Sequence, residues 1–333
     1  MLRERQDEGF VPPRSGSFRV IEARVPEPGR DFPRTRCELD EMFPDENACR
    51  DYLERLRWPN GFVCPRCEAH DDPWRSGSGL MICGKCSFLI AVTHGSIFHG
   101  SCTPLRTWFR AIWEVTTQKS GVGATCLQRV MGLRDPKAAE LCITKLRRTM
   151  ALALHGRLSG AVEVARSYVE VPQTSVFGRT SLQKAVVAIA MERGRGETGR
   201  ARIRRLDRVR PRHVTRFVHN VVDSGSEVFT APWNGYGKLA QQGFMHRVCT
   251  HPLMEDIGQV VMPDVQQVAS LLNVWLWSTE GVTYENLDDH LVEFCFRFNR
   301  RSYPRGLLFY RMMILASYEA SKRREETTAR RAG

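Results

Sequence analysis

The spacing of apolar residues changes twice along the chain. From Leu39 it is helical: Asp45 is placed to cap a helix in which Cys49, Tyr52, Leu53 and Leu56 share one face, and Trp58-Pro59-Asn60-Gly61 ends it. A short segment carrying two cysteine pairs follows, to about residue 97. Pro104 then opens an apolar helix through about Thr117, and helices are predicted over 124–131 and 136–152. Short turns, Ser120-Gly121-Val122-Gly123 and Gly132-Leu133-Arg134-Asp135, separate the three. From Gly160 the period shortens to two. Strands are predicted at 161–165, 185–191 and 200–206, then a helix at 211–222, strands at 227–230 and 244–249, and helices at 264–277, 285–298 and 306–323.

The flanks are different. Residues 1–35 carry Pro12, Pro13, Pro26, Pro28 and Pro33 among arginines and glycines with no sustained period, which predicts a disordered basic arm. The run from Lys322 to Arg331 predicts a fraying charged tail, 321–333. Lys plus Arg outnumber Asp plus Glu by 49 to 37, a net charge of +12 that favours a polyanionic partner, although solubility alone also explains a basic surface. No apolar run reaches the roughly 18 residues of a membrane helix. The eleven cysteines, with no secretory segment opening the chain, place it in a reducing cytoplasm.

Four of those cysteines, Cys64/Cys67 and Cys83/Cys86, have the C-x2-C-x15-C-x2-C spacing of a zinc ribbon. Each pair follows an apolar stub and turns over Pro65-Arg66 or Gly84-Lys85, so each offers two thiolates to one structural Zn2+. Buried thiol pairs or two disulfides are the alternative. The three helices behind the ribbon resemble a helix-turn-helix unit, the last carrying Lys137, Lys145, Arg147 and Arg148; a plain helical bundle with a solvated basic face is the competing reading. Three strands, a helix, two strands and trailing helices form the element order of an RNase H-like domain, an order that many mixed domains share. The expected fold is therefore multidomain α+β: a helix plus zinc ribbon over 36–100, a helical HTH-like DNA-binding segment over 101–157, and an RNase H-like α/β domain with C-terminal helices over 158–320.

Four separated motifs sharpen this. Arg57-Trp58-Pro59-Asn60-Gly61-Phe62-Val63-Cys64-Pro65-Arg66-Cys67, Thr93-His94-Gly95-Ser96-Ile97-Phe98, Pro104-Leu105-Arg106-Thr107-Trp108-Phe109 and Glu293-Phe294-Cys295-Phe296-Arg297-Phe298-Asn299-Arg300-Arg301 occur in that order. Together they resemble the landmarks of the ISXO-like bacterial insertion-sequence transposases, cousins of the eukaryotic Merlin elements, from about residue 39 to 317. The resemblance implies a DNA-binding front and a catalytic domain that cuts and rejoins transposon ends. It also implies a homo-oligomer on double-stranded DNA and a nucleoid-associated location. The implied chemistry uses clustered carboxylates holding two Mg2+ ions. In the family the first acid lies in a Val-Glu-Val-Asp-Glu strand and the second in a Thr-Asp-Gly-Trp turn. The third position is an Asn or acid on a later helix, followed by a Lys.

This chain departs at each of those positions. Ala165 stands where the first aspartate belongs, with Arg166 at the next acid, and Ala231 replaces the second aspartate. Leu271 occupies the third position and Asn273 that of the Lys. The expectation is a transposase-family DNA-binding protein without Mg2+ and without strand cleavage; Arg166 adds a repulsion of about 4 kcal/mol against any cation close to it. One alternative is an active enzyme using displaced acids, Glu163, Glu227 and Glu280, or a partner's site. Another is a zinc-ribbon protein that joins a hetero-oligomer with an active family member and modulates it.

Remaining candidates are basic. The cluster Arg193, Arg195, Arg200, Arg202, Arg204, Arg205, Arg208, Arg210 and Arg212 is dense, and alternation would point Arg200, Arg202 and Arg204 from one strand face toward phosphates or, equally, leave a charged edge strand. Arg300 and Arg301 end an apolar helix and reach either its carbonyls or DNA. His94 and His99 are expected to be packing or DNA-proximal residues, since four cysteines complete the zinc tetrahedron.

Overall fold

A computed structural model describes residues 25–77, 79–154, 156–174, 180–194, 199–249 and 262–318. Residues 1–24 of the expected arm, the tail 321–333 and Arg195 lie outside the described residues. The chain divides into two compact units: one comprises the described residues up to Gln118, then Ala124–Thr149 and from Tyr303 on, and the other holds Lys119–Gly123 and Met150–Ser302.

The first unit begins earlier than the arm reading allows. Residues 25–35 are folded: Phe32 is buried, the Tyr52 hydroxyl donates to the Asp31 carbonyl at 2.6 Å, and Thr35 caps α1 (Arg36–Met42) by accepting from Glu38 N–H at 3.1 Å. One of the prolines that suggest disorder, Pro28, instead bridges Phe32 in a compact turn. Asp45 caps α2 (Glu46–Arg57) as expected, accepting from Ala48 N–H at 2.9 Å. Strands β1 (Trp74–Arg75), β2 (Leu80–Ile82) and β3 (Leu89–Ala91) form a small antiparallel sheet in the cysteine segment. Helices α3 (Leu105–Thr117), α4 (Ala124–Met131) and α5 (Pro136–Leu152) follow.

Pro104 gives α3 no side-chain cap; Glu46 of α2 replaces it, its two carboxylate oxygens accepting from Leu105 and Arg106 N–H, both at 2.9 Å. An aromatic core closes the unit: Phe43 meets Tyr52 and Phe109 edge-on at 4.9 and 4.8 Å, and Phe309 lies 5.9 Å from Trp113. Phe309 belongs to the last helix, α9 (Leu307–Tyr318), which sequence order attached to the sheet domain. Its packing against α2 and α3 sets it in the first unit instead. Gly306, at φ +89°, precedes it, and a Cβ there would collide with the Pro33 carbonyl.

The second unit is a five-stranded mixed sheet. Strands β4 (Ala161–Thr174), β5 (Thr180–Glu192) and β6 (Ala201–Leu206) are successive antiparallel neighbours, while β7 (Glu227–Thr230) and β8 (Met245–Val248) add in parallel on the far side of β4, giving the order β6-β5-β4-β7-β8. Helix α6 (Pro211–Val221) covers one face, packing Val214, Phe217 and Val218 on Val162, Val164 and Val228. Helices α7 (Pro263–Ser278) and α8 (Leu287–Phe298) cover the other, with Val268, Leu272 and Phe294 against Val169, Val171 and Ile189. Strand β4 runs nine residues beyond the predicted 161–165, since its alternation continues through Val169 and Val171, whose side chains α7 buries.

Candidate functional site

The four ribbon cysteines converge. Cys64 Sγ lies 3.7 Å from Cys86 Sγ, Cys67 Sγ lies 3.6 Å from Cys83 Sγ, and all four sulfurs fall within 4.8 Å of one another. A Zn–S bond of about 2.3 Å gives a tetrahedral edge of about 3.8 Å, so the set fits one Zn2+. All eleven cysteines are free thiols, which excludes the disulfide alternative. The two knuckles repeat one hydrogen-bond pattern: Cys64 N–H donates to Ala69 and Glu68 N–H to Cys64 in the first, and Cys83 N–H to Phe88 and Ser87 N–H to Cys83 in the second. Backbone N–H groups of Cys86 and Lys85 aimed at its sulfur lower the Cys83 thiol, while the thiols around Cys67 raise that one, so the cluster shares its protons until a metal displaces them.

This geometry forces Glu68 and Ser87 into the left-handed region, at φ 58° and 55°. A β-branched residue tolerates that worst. Ser87→Val is expected to destabilise the zinc-loaded ribbon by about 1–2 kcal/mol relative to Ser87→Gly. Equal thermal midpoints for the two variants would show that the knuckle backbone relaxes out of that conformation.

At the other end of the chain, the resemblance expects acids at Ala165 and Ala231. The parallel register of β4 and β7 runs from Ala161↔Glu227 to Val164↔Thr230, and one further step sets Ala165 beside Ala231 where the ladder ends. Ala165 packs into the apolar layer under α7 with Ala269. Asn273 spends its amide on the Ala269 carbonyl at 3.2 Å, inside its own helix, and Leu271 is 44% exposed. The guanidinium of Arg166 stacks 3.9 Å from the Trp233 ring, and alternation turns it to the sheet face opposite Ala165. Arg166 thus does not face a cation between positions 165 and 231, and the repulsion expected from it is withdrawn.

The displaced acids do not form a site either. Glu163 is fully buried with both oxygens engaged: Oε1 accepts from Arg193 Nε at 2.9 Å, and Oε2 accepts from Val265 N–H at 3.0 Å. It closes the start of α7, whose own Met262 offers no cap. Glu227 pairs with Arg247 at 2.6 Å, and Glu280 is exposed. Among the described residues, the only group of three or more His, Cys, Asp or Glu side chains close enough to share an ion is the four cysteines. Among the described residues, no set of acids is gathered to hold a Mg2+ pair.

The basic candidates separate into several environments. Lys137 and Arg148 are exposed on α5, Lys145 is half-buried 6.0 Å from the Trp108 ring, and Arg147 is buried. Arg200 pairs with Glu192 at 2.6 Å. Arg202 is buried, donates to the Gly156 carbonyl at 2.6 Å, and is pulled down to about 10 by that burial. Arg204 alone of the three strand arginines is exposed without an ion pair. Arg300 and Arg301 donate to the carbonyls of Phe296 and Phe298 and stack on the same rings, at 4.5 and 3.8 Å. Both thereby satisfy carbonyls at the end of α8, while Arg301 remains exposed. His94 and His99 pack edge-on at 5.0 Å, away from the sulfur cluster's ligand set.

The matches to known families point to the transposases: residues 44–88 match the family described as transposase zinc-ribbon domain, and residues 157–299 match the ISXO2-like transposase domain. The chain belongs to the ISXO2-like transposase family. It is also 23% identical to an uncharacterized protein in transposable element ISH50 of Halobacterium salinarum, over 77% of this chain and 92% of that protein. Among the described residues, no helix is long and apolar enough to cross a membrane.

Proposed function

We propose that this chain is a DNA-binding transposase relative that has lost strand cleavage and strand transfer. The observation that carries the reading is that alanines stand at positions 165 and 231, each one step past the last β4–β7 pair, Val164↔Thr230, where two carboxylates would have to stand. Phosphoryl transfer depends on positioning and charge neutralisation, and alanines supply neither. The strand order, with three antiparallel strands followed by two parallel ones beyond β4, supports an RNase H-like reading of the sheet. Zinc in the four-cysteine ribbon is structural. The net charge of +12 and the exposed Lys137 and Arg148 on α5 support binding to transposon-end repeats through an HTH-like segment.

The test is a nicking assay on terminal-repeat duplex with Mg2+ or Mn2+. No cleavage is expected, alongside gel-shift binding that weakens steeply with salt. Cleavage by the unmodified chain, abolished by Glu227→Gln or Glu280→Gln, would sink the inactive reading. Glu163→Gln does not serve here, because Glu163 holds the fold.

One observation favours a second reading, in which the chain joins an active family member and modulates it. The α7 face around Leu271 also presents Val274, 69% exposed, and Trp277, 60% exposed. A strip of three large apolar residues at helical spacing is a face for protein contact.

A further inference from the structure

Nine arginines between positions 193 and 212 read alike in sequence, and the fold sorts them. Arg193 is held by Glu163, Arg200 by Glu192 and Arg205 by Asp288 at 2.9 Å, while Arg202 is buried on a backbone carbonyl. Beyond β6 the pattern changes. Arg208, Arg210, Arg212 and Arg216 are all exposed, and among the described residues none of them forms an ion pair. The nearest acid in sequence, Asp207, leans back toward Arg205 at 3.9 Å.

These four surround the start of α6. Arg212 and Arg216 lie one turn apart on its outer face, continued by exposed His219 and Asn220, while Arg208 and Arg210 lead into the helix. The first turn of α6 contains no acid, and Arg210 at its cap makes no side-chain cap bond. Four exposed guanidinium groups therefore flank the helix start with no ion-pair partner among the described residues, and the partial positive charge of the helix start adds to theirs. The opposite face of the helix is fixed by Val214, Phe217 and Val218 in the core, so the arginines stand on a rigid element. A surface built this way is complementary to a regular polyanion, and planar guanidinium groups pair with phosphate bidentately.

We infer that the outer face of α6, with Arg208 and Arg210 before it, is a phosphate-tracking surface for double-stranded DNA in the sheet unit. It is separate from the basic residues of α5 and from the internally paired arginines of β6. The inference rests on the DNA-binding reading given above. It assigns to the sheet unit a backbone grip that remains although the acids at positions 165 and 231 are absent.

The test measures binding of the full zinc-loaded chain to a fluorescent duplex of about 30 base pairs as salt is varied. Each lost phosphate contact lowers the slope of log affinity against log salt by about 0.9. For Arg210→Ala/Arg212→Ala/Arg216→Ala the expectation is a slope smaller by about 3 and an affinity at least tenfold weaker. Arg200→Ala, whose guanidinium is held by Glu192, leaves the slope unchanged. Circular dichroism and thermal midpoint report whether the triple variant keeps its fold; charge reversal at the single exposed position Arg216→Glu provides a second, milder variant expected to weaken binding several-fold. An unchanged slope in a folded triple variant overturns the inference while leaving DNA binding itself intact. Loss of binding to polyglutamate with duplex binding unchanged also overturns it and assigns the surface to an acidic protein. Absence of duplex binding by the unmodified chain overturns the DNA-binding reading, and this inference with it.

Discussion

Stripping zinc from the ribbon is expected to unfold it outright while the sheet unit keeps its structure. The ribbon's sheet has strands of only two, three and three residues, and, its cysteines apart, its buried apolar residues among those described are few: Phe62, Ala69, Met81, Ile90 and Val92. A module this small cannot offset its conformational entropy by burial. Structural zinc contributes roughly 10–16 kcal/mol in comparable small domains, far more than any other single interaction in this chain. Hydrogen exchange followed by mass spectrometry, with and without a strong chelator, should show protection lost across residues 62–92 and retained in β4, β5 and α8. Cys83→Ser should reproduce the pattern without chelator. Protection in the ribbon that survives metal removal would mean that the four sulfurs are packed and not ligating. Because the proposed α6 surface lies in the other unit, zinc removal should weaken DNA binding without abolishing it.

Local signals in the sequence suffice for several helices and for the cysteine cluster, but not for α1, which the sequence does not separate from the helix capped by Asp45. Helices 124–131 and 136–152 were placed at the bounds the structure has, because glycine turns and Pro136 punctuate them within the chain itself. The four cysteines carry their own geometry in their spacing. What could not be read locally depends on residues far apart. Arg193 and Glu163 are 30 residues apart, and Arg202 reaches Gly156 across 46, so alternation along β6 alone gave no means of telling paired arginines from free ones. The same limit applies to α9. Its residues Phe309, Tyr310, Met312, Met313, Ile314 and Leu315 are apolar all round, which marks a buried helix but not the layer that buries it. Proline density over residues 25–35 predicts disorder, yet burial of Phe32 and the Thr35 cap fold the segment, because its apolar partner lies far along the chain.

Glu163 was legible only in part, as an acid between Val162 and Val164 in an apolar strand, and its role yields the second large effect. Replacing its partner should cost more than replacing Glu163 itself. The carboxylate is fully buried, whereas the Arg193 side chain is one-third exposed at 33% and rests 3.6 Å from the Phe229 ring. Arg193→Met leaves a buried carboxylate with only the Val265 N–H to hold it, and breaking a buried pair in this way costs about 3–5 kcal/mol. Glu163→Gln instead leaves a guanidinium that can rotate into water. The penalty is then the lost charge-assisted bonds and an amide N–H directed at a donor, about 2–3 kcal/mol. The double variant Glu163→Gln/Arg193→Met should lose less than the sum of the two single changes, because it strands neither charge. Denaturant midpoints on the full chain measure all three. If Glu163→Gln is instead within about 0.5 kcal/mol of the unmodified chain, its carboxylate does not hold the start of α7. It would then be free to act as the displaced acid that the closed geometry argues against.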